Sequence, residues 1–259
     1  MNQTEGLKPI LGIDIGGTHI KASVADIDSG RLSGEHLFIP TPQPSIPDAM
    51  LTIIKDMISD LNWKGQVGCG FPGVIKGGTA FTAANLSKEW IGVNLENEIR
   101  KFTEGNVAVI NDADAAGLAE MKFGAGTEYN RPGGGVVLLI TLGTGIGSAL
   151  FVDGVLVRNT EFGHIEIDGV DAETRAATVH RDREGLSWKD WGARVNKYLQ
   201  TIEKLLYPDV FIIGGGVSES SEKFFPQIAV RATLLPARMG NDAGIVGAAL
   251  ATGIQYVKK

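Results

Sequence analysis

Two glycine-rich segments of the sequence carry the residue types that bind phosphate. The first, IDIGGTHIK, places Asp14 just before two adjacent glycines, and the second reads ITLGTGIG. Backbone N–H groups in such loops can point at anionic oxygens, because glycine lets a ligand approach the main chain. The hydroxyls of Thr18, Thr141 and Thr144 can add donors, and Asp14 can face a metal ion. For the first segment, the alternative is an ordinary hairpin with an acid at its turn.

Neither segment matches the common nucleotide-binding motifs. No GK[ST] tripeptide occurs in the chain, which excludes a P-loop. The spacing of GTGIG also differs from the dinucleotide-binding fingerprint. The pair of loops therefore predicts a phosphate clamp of another kind.

The segment VINDADAAGLAE predicts a catalytic carboxylate. Asn111 and Asp112 follow a strand-like run at the point where a helix begins, and ligands of open sheets bind at the carboxyl ends of the strands. Asp112 can accept a sugar hydroxyl proton as a general base. An ordinary helix N-cap is the alternative, with Asp114 as a rival for that position.

The segment NTEFGHIEIDG predicts sugar contacts. It brings Glu161, His164 and Glu166 close together in the sequence. Carboxylates and an imidazole can exchange hydrogen bonds with the vicinal hydroxyls of a sugar. A metal site would need further ligands, of which the chain offers few. For His164 the alternative is a structural or surface histidine.

The run IIGGGV, from Ile212 to Val217, is predicted to end an apolar strand and to open a helix. Consecutive glycines allow a flat ring or a phosphate to lie against the backbone. A plain strand–helix turn is the alternative.

The composition narrows the classes of partner. The 259 residues carry a net charge of −6, so a basic surface for non-specific nucleic-acid binding is not expected. Cys69 is the single cysteine, which excludes an internal disulfide and any zinc site built from several cysteines. No stretch resembles a signal peptide or a membrane span. We therefore expect a cytoplasmic protein that binds neither nucleic acid nor a membrane.

The hydrophobic pattern predicts alternating strands and helices, which is typical of α/β folds. Strand-like runs cover 10–15, 20–26 and 32–39. A helix with one apolar face follows between Ile46 and Leu61. QVGCG and NVAVIND are predicted as further strands.

The opening pattern returns near residue 135. ITLGTGIGSALFVDG can be aligned with IDIGGTHIKASVADI, and the alignment pairs Thr141 with Asp14 and Asp153 with Asp26. A repeat of this kind indicates two similar lobes. Chance similarity of two glycine-rich hairpins is the alternative.

The second half of the chain is predicted to be more helical. Ser187 and Asp190 form a capping-box pattern before an amphipathic run that stops at Pro208. PDVFIIGGG predicts another strand, and NDAGIVGAALATGIQYV predicts a closing helix of small residues.

Six motifs together resemble the ROK sugar kinases: GIDIGGTHIKASVAD, GFPG, NDADAAGLAE, LLITLGTGIGSALFVDG, NTEFGHIEIDG and FIIGGGVSES. The resemblance implies the α/β fold of the actin-like ATPases, with two ribonuclease-H-like lobes and a cleft between them. The expected lobes are 1–111 and 112–259, with the C-terminal helix packing back on the first. LGTGIGSALFVDG, NTEFGHIE and LSWKDW are most similar to the polyphosphate glucokinase branch.

The resemblance assigns roles to the matching positions. Asp112 matches the catalytic base, and Asp14 would lie near Mg²⁺ and the transferred phosphate. The implied phosphate- and donor-binding residues are Asp14, Gly16, Gly17, Thr18, Lys21, Thr141, Gly143, Thr144, Gly145, Gly214, Gly215 and Gly216. The implied sugar-binding residues are Asn85, Asn111, Asp112, Glu161, His164 and Glu166.

Two departures from the wider family bear on cofactor and donor. No cysteine follows His164, so we expect no structural zinc. His19 stands where the polyphosphate branch more often has glycine, and a ring there can crowd the donor or form a hydrogen bond with it.

The resemblance implies a kinase that converts glucose to glucose 6-phosphate with polyphosphate, ATP or both, and it favours a homodimer. The alternatives are an ATP-dependent ROK kinase for another hexose, a non-catalytic sugar sensor, and a DNA-binding repressor. Only nine residues precede the first strand-like run, too few for a helix-turn-helix. The basic run from Arg175 to Lys189, which includes Arg181 and Arg183, can bind polyphosphate or form a solvated face.

Overall fold

The computed structural model describes residues 9–254, and their contacts divide the chain into two units. Residues 9–119 and 242–254 form the first unit, and Glu120–Asn241 form the second. The first division therefore falls inside the helix Asp112–Phe123, whereas we expected it at the first residue of that helix. Within the described residues, no helix has the length and apolar character needed to span a bilayer.

Strands and helices alternate along the chain. In the first unit they are β1 (Pro9–Ile15), β2 (His19–Asp26), β3 (Leu32–Pro40), α1 (Pro47–Asp60), β4 (Val67–Phe71), β5 (Ile75–Lys76), β6 (Thr79–Ala80), α2 (Leu95–Arg100), β7 (Val107–Asn111) and α3 (Asp112–Phe123), whose end belongs to the second unit. They continue as β8 (Val136–Leu142), β9 (Ile146–Val152), β10 (Val155–Val157), β11 (Glu166–Ile167), β12 (Val170–Asp171), α4 (Glu173–Ala176), α5 (Thr178–Glu184), α6 (Trp188–Leu206), β13 (Val210–Gly214), α7 (Ser221–Phe224) and β14 (Thr233–Pro236). Helix α8 (Ala243–Ala251) returns to the first unit.

The predicted elements agree with this order to within a few residues. The closing helix ends at Ala251, earlier than its apolar pattern suggested. The last residues of that predicted segment lie outside the described residues.

The two five-stranded sheets have the same strand order, which confirms the repeat predicted from the sequence. The orders are β3-β2-β1-β4-β7 and β10-β9-β8-β13-β14. In each sheet the first two neighbouring pairs are antiparallel and the last two are parallel.

The loop of the opening hairpin is one residue shorter in the second unit. Ile15 pairs with Ile20 in the first hairpin, whereas Leu142 pairs with Ile146 in the second. Asp14 and Thr141 are therefore equivalent, each being the penultimate residue of its strand. The predicted equivalence of Asp153 with Asp26 was wrong by one residue, because the alignment was carried through the loop without a gap.

Period-two alternation along β1 explains how Asp14 is placed. Leu11, Ile13 and Ile15 are buried in the core shared with α1, so the residues between them face the other side of the sheet. On that side α8 packs so closely that a methyl group added at Gly12 would lie 2.1 Å from the Ile245 carbonyl oxygen. Asp14 thus faces the beginning of α8.

The second core lies around α6. This helix begins as predicted, with the Asp190 N–H donating to Ser187 Oγ at 3.1 Å. Its buried face includes Trp191, Tyr198 and Ile202. They pack with apolar residues of β8 and β13. The core thereby supports the strands that end at the second glycine loop.

Candidate active site

Asp14 lies opposite Lys21 in the β1–β2 hairpin. The Lys21 Nζ atom is 3.7 Å from Asp14 Oδ2, and the two side chains are 25% and 19% exposed respectively. Burial raises the pKa of the Asp14 carboxyl, and the nearby Lys21 ammonium acts against that rise. A second cation near Asp14 would, like Lys21, lower the pKa of its carboxyl.

Two glycines lie against the Asp14 carboxylate. A methyl group added at Gly244 would lie 2.6 Å from Oδ2, and one added at Gly70 would lie 3.7 Å from Oδ1. A single partly buried carboxylate suits Mg²⁺, which is commonly held by one or two carboxylates, waters and substrate phosphates. No group of three or more His, Cys, Asp or Glu side chains within residues 9–254 is arranged to hold a metal ion. The residues present therefore fit a magnesium ion that arrives with the donor.

The first glycine loop is held by its own backbone and by Thr41, the residue that follows β3. The Gly16 N–H donates to the His19 carbonyl at 2.9 Å, and the Thr41 hydroxyl donates to the Gly16 carbonyl at 2.6 Å. A methyl group at Gly17 would lie 2.9 Å from the Asn85 Cβ atom. The structure thus brings Asn85, a predicted sugar contact, against this loop.

His19 stacks on Phe38 of the neighbouring strand. The ring centroids are 4.1 Å apart with planes at 24°, and Phe38 is 59% exposed. The imidazole is therefore packed along the sheet surface beside the loop.

Asp112 is the first residue of α3 rather than its cap. Asn111 takes the capping role, since its Oδ1 accepts the Asp114 N–H at 2.9 Å. The Asn111 Nδ2 donates to the Gly73 carbonyl at 3.1 Å, and this side chain is 5% exposed. Asn111 thus has a structural role, and its predicted sugar contact stays a prediction.

Asp112 and Asp14 flank the same glycine. A methyl group at Gly70 would lie 3.6 Å from the Asp112 Cα atom and 3.7 Å from Asp14 Oδ1. Parallel pairing of β1, β4 and β7 brings their carboxyl ends to one edge of the sheet. The first unit therefore places its metal-binding candidate and its general-base candidate side by side.

The second glycine loop is held by α4 and α5. The Ile146 N–H donates to Glu173 Oε2 at 2.7 Å, and a methyl group at Gly145 would lie 2.5 Å from the same oxygen. The Val179 N–H donates to the Gly143 carbonyl at 3.1 Å. Sequence reasoning did not find the role of Glu173, because nothing in the loop motif points to a carboxylate so far along the chain.

An acidic cluster surrounds His164 in the same unit. The Nδ1 atom lies 2.8 Å from Asp171 Oδ2, which leaves Nε2 for another partner. The hydrogen bond with Asp171 raises the pKa of His164, and Glu173 and Glu161 add to that rise while burial opposes it. Burial raises the pKa of Glu161, which the nearby His164 counteracts.

Asp171 was also missed by sequence reasoning. It comes next to His164 because the short β11–β12 hairpin pairs Glu166 with Asp171. Its other oxygen, Oδ1, accepts the Glu173 N–H at 2.9 Å. The acids of DGVDAE were a possible signal, but only the hairpin register shows which of them reaches the histidine. Glu166 is exposed beside this cluster.

The glycine triplet adjoins the second loop. Gly214 pairs with Thr141, and a methyl group at Gly214 would lie 3.4 Å from the Thr141 Cγ2 atom. Gly215 has φ +83°, and a methyl group there would lie 2.3 Å from the Leu142 carbonyl oxygen. Glycine is therefore required at 215 on both conformational and steric grounds. A methyl group at Gly216 would meet open space.

Members of the basic run have different surroundings. Arg181 lies with its guanidinium carbon 3.7 Å from the centroid of the Trp188 ring and forms an ion pair with Asp182 at 2.7 Å. Arg183 and Lys189 are exposed. Arg175 lines a cavity together with Arg194. A polyphosphate track along these residues stays a prediction.

Comparison of the sequence with known proteins finds one family that it matches. The model of the ROK family matches residues 10–185. The polyphosphate glucokinase of Mycobacterium tuberculosis is 44% identical over 93% of this chain and 90% of that protein. The glucokinase of Streptomyces coelicolor is 27% identical over 92% of this chain and 96% of that protein.

Solved structures agree with this result. The inorganic polyphosphate/ATP-glucomannokinase of Arthrobacter sp. strain KM has a TM-score of 0.89 at 43% identity, covering 96% of this chain and 99% of its own. A ROK family glucokinase from Streptomyces griseus, in complex with glucose and AMPPNP, has a TM-score of 0.80 at 24% identity and covers 95% and 100%. The expected fold of the actin-like ATPases is thereby confirmed.

Proposed function

The chain belongs to the ROK family, and from that premise we propose that it is a glucokinase that transfers a phosphoryl group from polyphosphate or ATP to the O6 hydroxyl of glucose. The observation that carries the proposal is the 44% identity to polyphosphate glucokinases over nearly the whole length of both chains. The glycine loops and the adjacent Asp14 and Asp112 supply the matching chemistry.

Asp112 is proposed as the general base. As the O6 oxygen attacks the terminal phosphorus of the donor, its proton passes to the Asp112 carboxylate. The new P–O bond forms while the bond from phosphorus to the leaving oxygen of the donor breaks. Support comes from the position of Asp112 beside Asp14 at the carboxyl edge of the first sheet.

The donor is proposed to bind the two glycine loops. Their N–H groups and the hydroxyls of Thr18, Thr141 and Thr144 would hold phosphate oxygens, and Lys21 would add a positive charge. When bound at Asp14, Mg²⁺ would neutralise charge on the donor phosphates. Gly214–Gly216 would accommodate the adenosine of ATP, which is supported by the open space at Gly216.

Glucose is proposed to contact Asn85, Asn111, Glu161, His164 and Glu166. The hydrogen bond with Asp171 fixes which ring nitrogen of His164 is available, so the imidazole would present Nε2 to a sugar hydroxyl. We further propose that the enzyme is a cytoplasmic homodimer that contains no structural zinc and acts on neither nucleic acids nor membranes.

A coupled assay for glucose 6-phosphate tests the function, with ATP and polyphosphate supplied in parallel and with EDTA as a third arm. We expect turnover with polyphosphate, and loss of turnover on chelation that Mg²⁺ restores. Turnover with ATP alone would identify an ATP-dependent ROK kinase instead. No turnover with either donor, in protein that still binds glucose, would favour a sugar sensor.

Metal analysis and light scattering test the remaining points. Stoichiometric zinc in the purified protein would contradict the proposed zinc-free state. A monomer mass in solution would contradict the dimer.

A further inference from the structure

A cavity of about 320 Å³ lies in the second unit, and none of the residues that line it is among those proposed above to contact glucose, ATP or Mg²⁺. The β11–β12 hairpin and the helices α4 and α6 form its walls. Its volume is within the range of pockets that hold small organic molecules. Ile167 and Val170 of the hairpin and Ala172 and Ala176 around α4 line it with apolar surface.

Three cations and one carboxylate also line the cavity. Arg194 is already bound to Glu184 through two hydrogen bonds of 3.0 and 2.6 Å, and Lys197 is paired with Asp168. The exposed Arg175 guanidinium makes no hydrogen bond or ion pair with any residue in the part of the chain that the structure describes, although its charge acts on the Glu184 carboxylate. The cavity therefore has one cationic group without a hydrogen-bonding partner among the described residues.

The phenol of Tyr198 is the second polar group that lacks a partner. Tyr198 lines the cavity and is 1% exposed, and its hydroxyl makes no hydrogen bond in the described structure. A buried hydroxyl without a partner costs free energy that an acceptor would recover. Burial and the nearby Glu173 raise the pKa of this phenol, so it stays a neutral donor.

We propose that this cavity binds a small organic anion with an apolar body, whose charged group binds Arg175 and whose body packs on Ile167 and Val170. A second oxygen on the ligand would accept the Tyr198 hydroxyl hydrogen. An aromatic or branched aliphatic carboxylate has this chemistry, and so does the phosphate ester of such a body.

Helix α4 connects the cavity to the second glycine loop. Arg175 and Ala176 line the cavity, while Glu173 of the same short helix accepts the Ile146 N–H. An occupant would thus contact the helix that holds the loop.

Isothermal titration calorimetry of the whole chain tests the proposal with benzoate, 4-hydroxybenzoate, phenyl phosphate and two controls. Benzyl alcohol supplies the body without the charge, and inorganic phosphate supplies the charge without the body. We expect saturable binding of the aromatic anions at one site per chain, and binding of each control at least about tenfold weaker. Comparison of benzoate with phenyl phosphate shows which anionic group the site prefers.

Variants locate the binding. Arg175→Gln should weaken the binding of every aromatic anion about tenfold or more, whereas Lys204→Gln, which removes an exposed charge from α6 outside the cavity, should leave it unchanged. Tyr198→Phe should weaken 4-hydroxybenzoate binding more than benzoate binding. Thermal unfolding of each variant checks that the fold is retained.

Three results would overturn the proposal. The first is that the unmodified protein shows no saturable binding of the aromatic anions up to about 10 mM. The second is an equal loss of affinity in Arg175→Gln and Lys204→Gln, and the third is competition by glucose or ATP for the same site. None of them bears on the glucokinase assay, so this proposal and the proposed function can fail separately.

Discussion

Asp112, the proposed general base, shares the structural task at the helix start with its neighbour Asn111. Asn111 caps α3, so the carboxylate of Asp112 is not needed to satisfy the Asp114 N–H. A polar residue at a helix start is usually interpreted as a cap. Here both residues bind N–H groups of the first turn, since Asp112 Oδ1 also accepts the Ala113 N–H at 2.8 Å.

Replacement of Asp112 by asparagine removes the proton acceptor while keeping the size of the side chain. We expect Asp112→Asn to lower kcat by about 10²–10⁴ while glucose binding stays measurable. Steady-state kinetics and glucose titration check this result, with Asp56→Asn on the exposed face of α1 as the matched control. A variant with nearly normal turnover would remove Asp112 from its proposed role.

The pair of His164 and Asp171 makes stability depend on pH in a defined direction. Because the folded-state pKa of His164 is raised, the stabilisation from its charged form is fully present below the unfolded-state pKa of about 6.5. It is lost as the pH rises through the higher folded-state pKa. Glu161 and Glu173 also face the imidazole and remain when Asp171 is changed.

Asp171→Asn should therefore lower the free energy of unfolding more at about pH 5.5 than at about pH 9. Urea unfolding at the two pH values measures the difference, and NMR titration should show His164 losing its proton at lower pH than in the unmodified protein. Asp60→Asn, at the exposed end of α1, is the control. An unchanged His164 titration would show that the contact with Asp171 does not stabilise the protonated imidazole.

At the scale of elements, the sequence predicted the hairpins well but not the packing between elements. Alternating apolar residues and paired glycines identified β1, β2, β8 and β9, because these signals are local. The shorter second loop was missed, since a glycine-rich alignment does not fix loop length. Glu173, Asp171 and Gly244 were missed because their roles depend on which distant segment packs against the site.

The contact between α8 and Asp14 gives a prediction about Gly244. An alanine Cβ at this position would lie 2.6 Å from the Asp14 carboxylate, so either the helix or the carboxylate must move. We expect Gly244→Ala to lower the melting temperature by about 2–10 °C, despite the higher helix propensity of alanine. Activity should require more Mg²⁺.

Thermal unfolding and a magnesium titration of the activity test this prediction. Gly253→Ala is the matched control, because a methyl group there meets only the Leu250 carbonyl at an ordinary 3.6 Å. If Gly244→Ala gained stability and kept its magnesium requirement, the close approach of Gly244 to the Asp14 carboxylate would be contradicted.

For the whole molecule, net charge bears on the choice of donor. A chain of charge −6 does not attract a polyanion as a whole, so polyphosphate binding needs local cations. Exposed charge contacts weaken as salt screens them. A long donor that contacts several cations should lose more affinity with rising ionic strength than the compact phosphates of ATP.

The double variant Arg183→Ala/Lys189→Ala should raise KM for polyphosphate much more than KM for ATP. The double variant Lys55→Ala/Lys204→Ala removes the same charge elsewhere and serves as the control. Kinetics with both donors at low and high salt measure the effect. Equal changes for both donors would mean that the basic run is a solvated face.

The fold class of the whole molecule was predictable because six motifs, spread along the chain, agreed with one family. The division of the chain was harder to predict. Nothing in the residues of α3 marks the point where its contacts change from one unit to the other, and α8 is separated from its packing partners by the entire second unit.

The order of the chain has a consequence for synthesis on the ribosome. β1 and β4 are made early, but α8, which covers one of their faces, lies beyond Asp242. At about 5–20 residues per second, roughly 6–25 s of translation separate Ala119 from that helix. Throughout this interval the nascent chain carries an unfinished apolar sheet while the residues of the second unit are still being added. The N-terminal half therefore waits longest for its last packing partner, although it is the first to emerge.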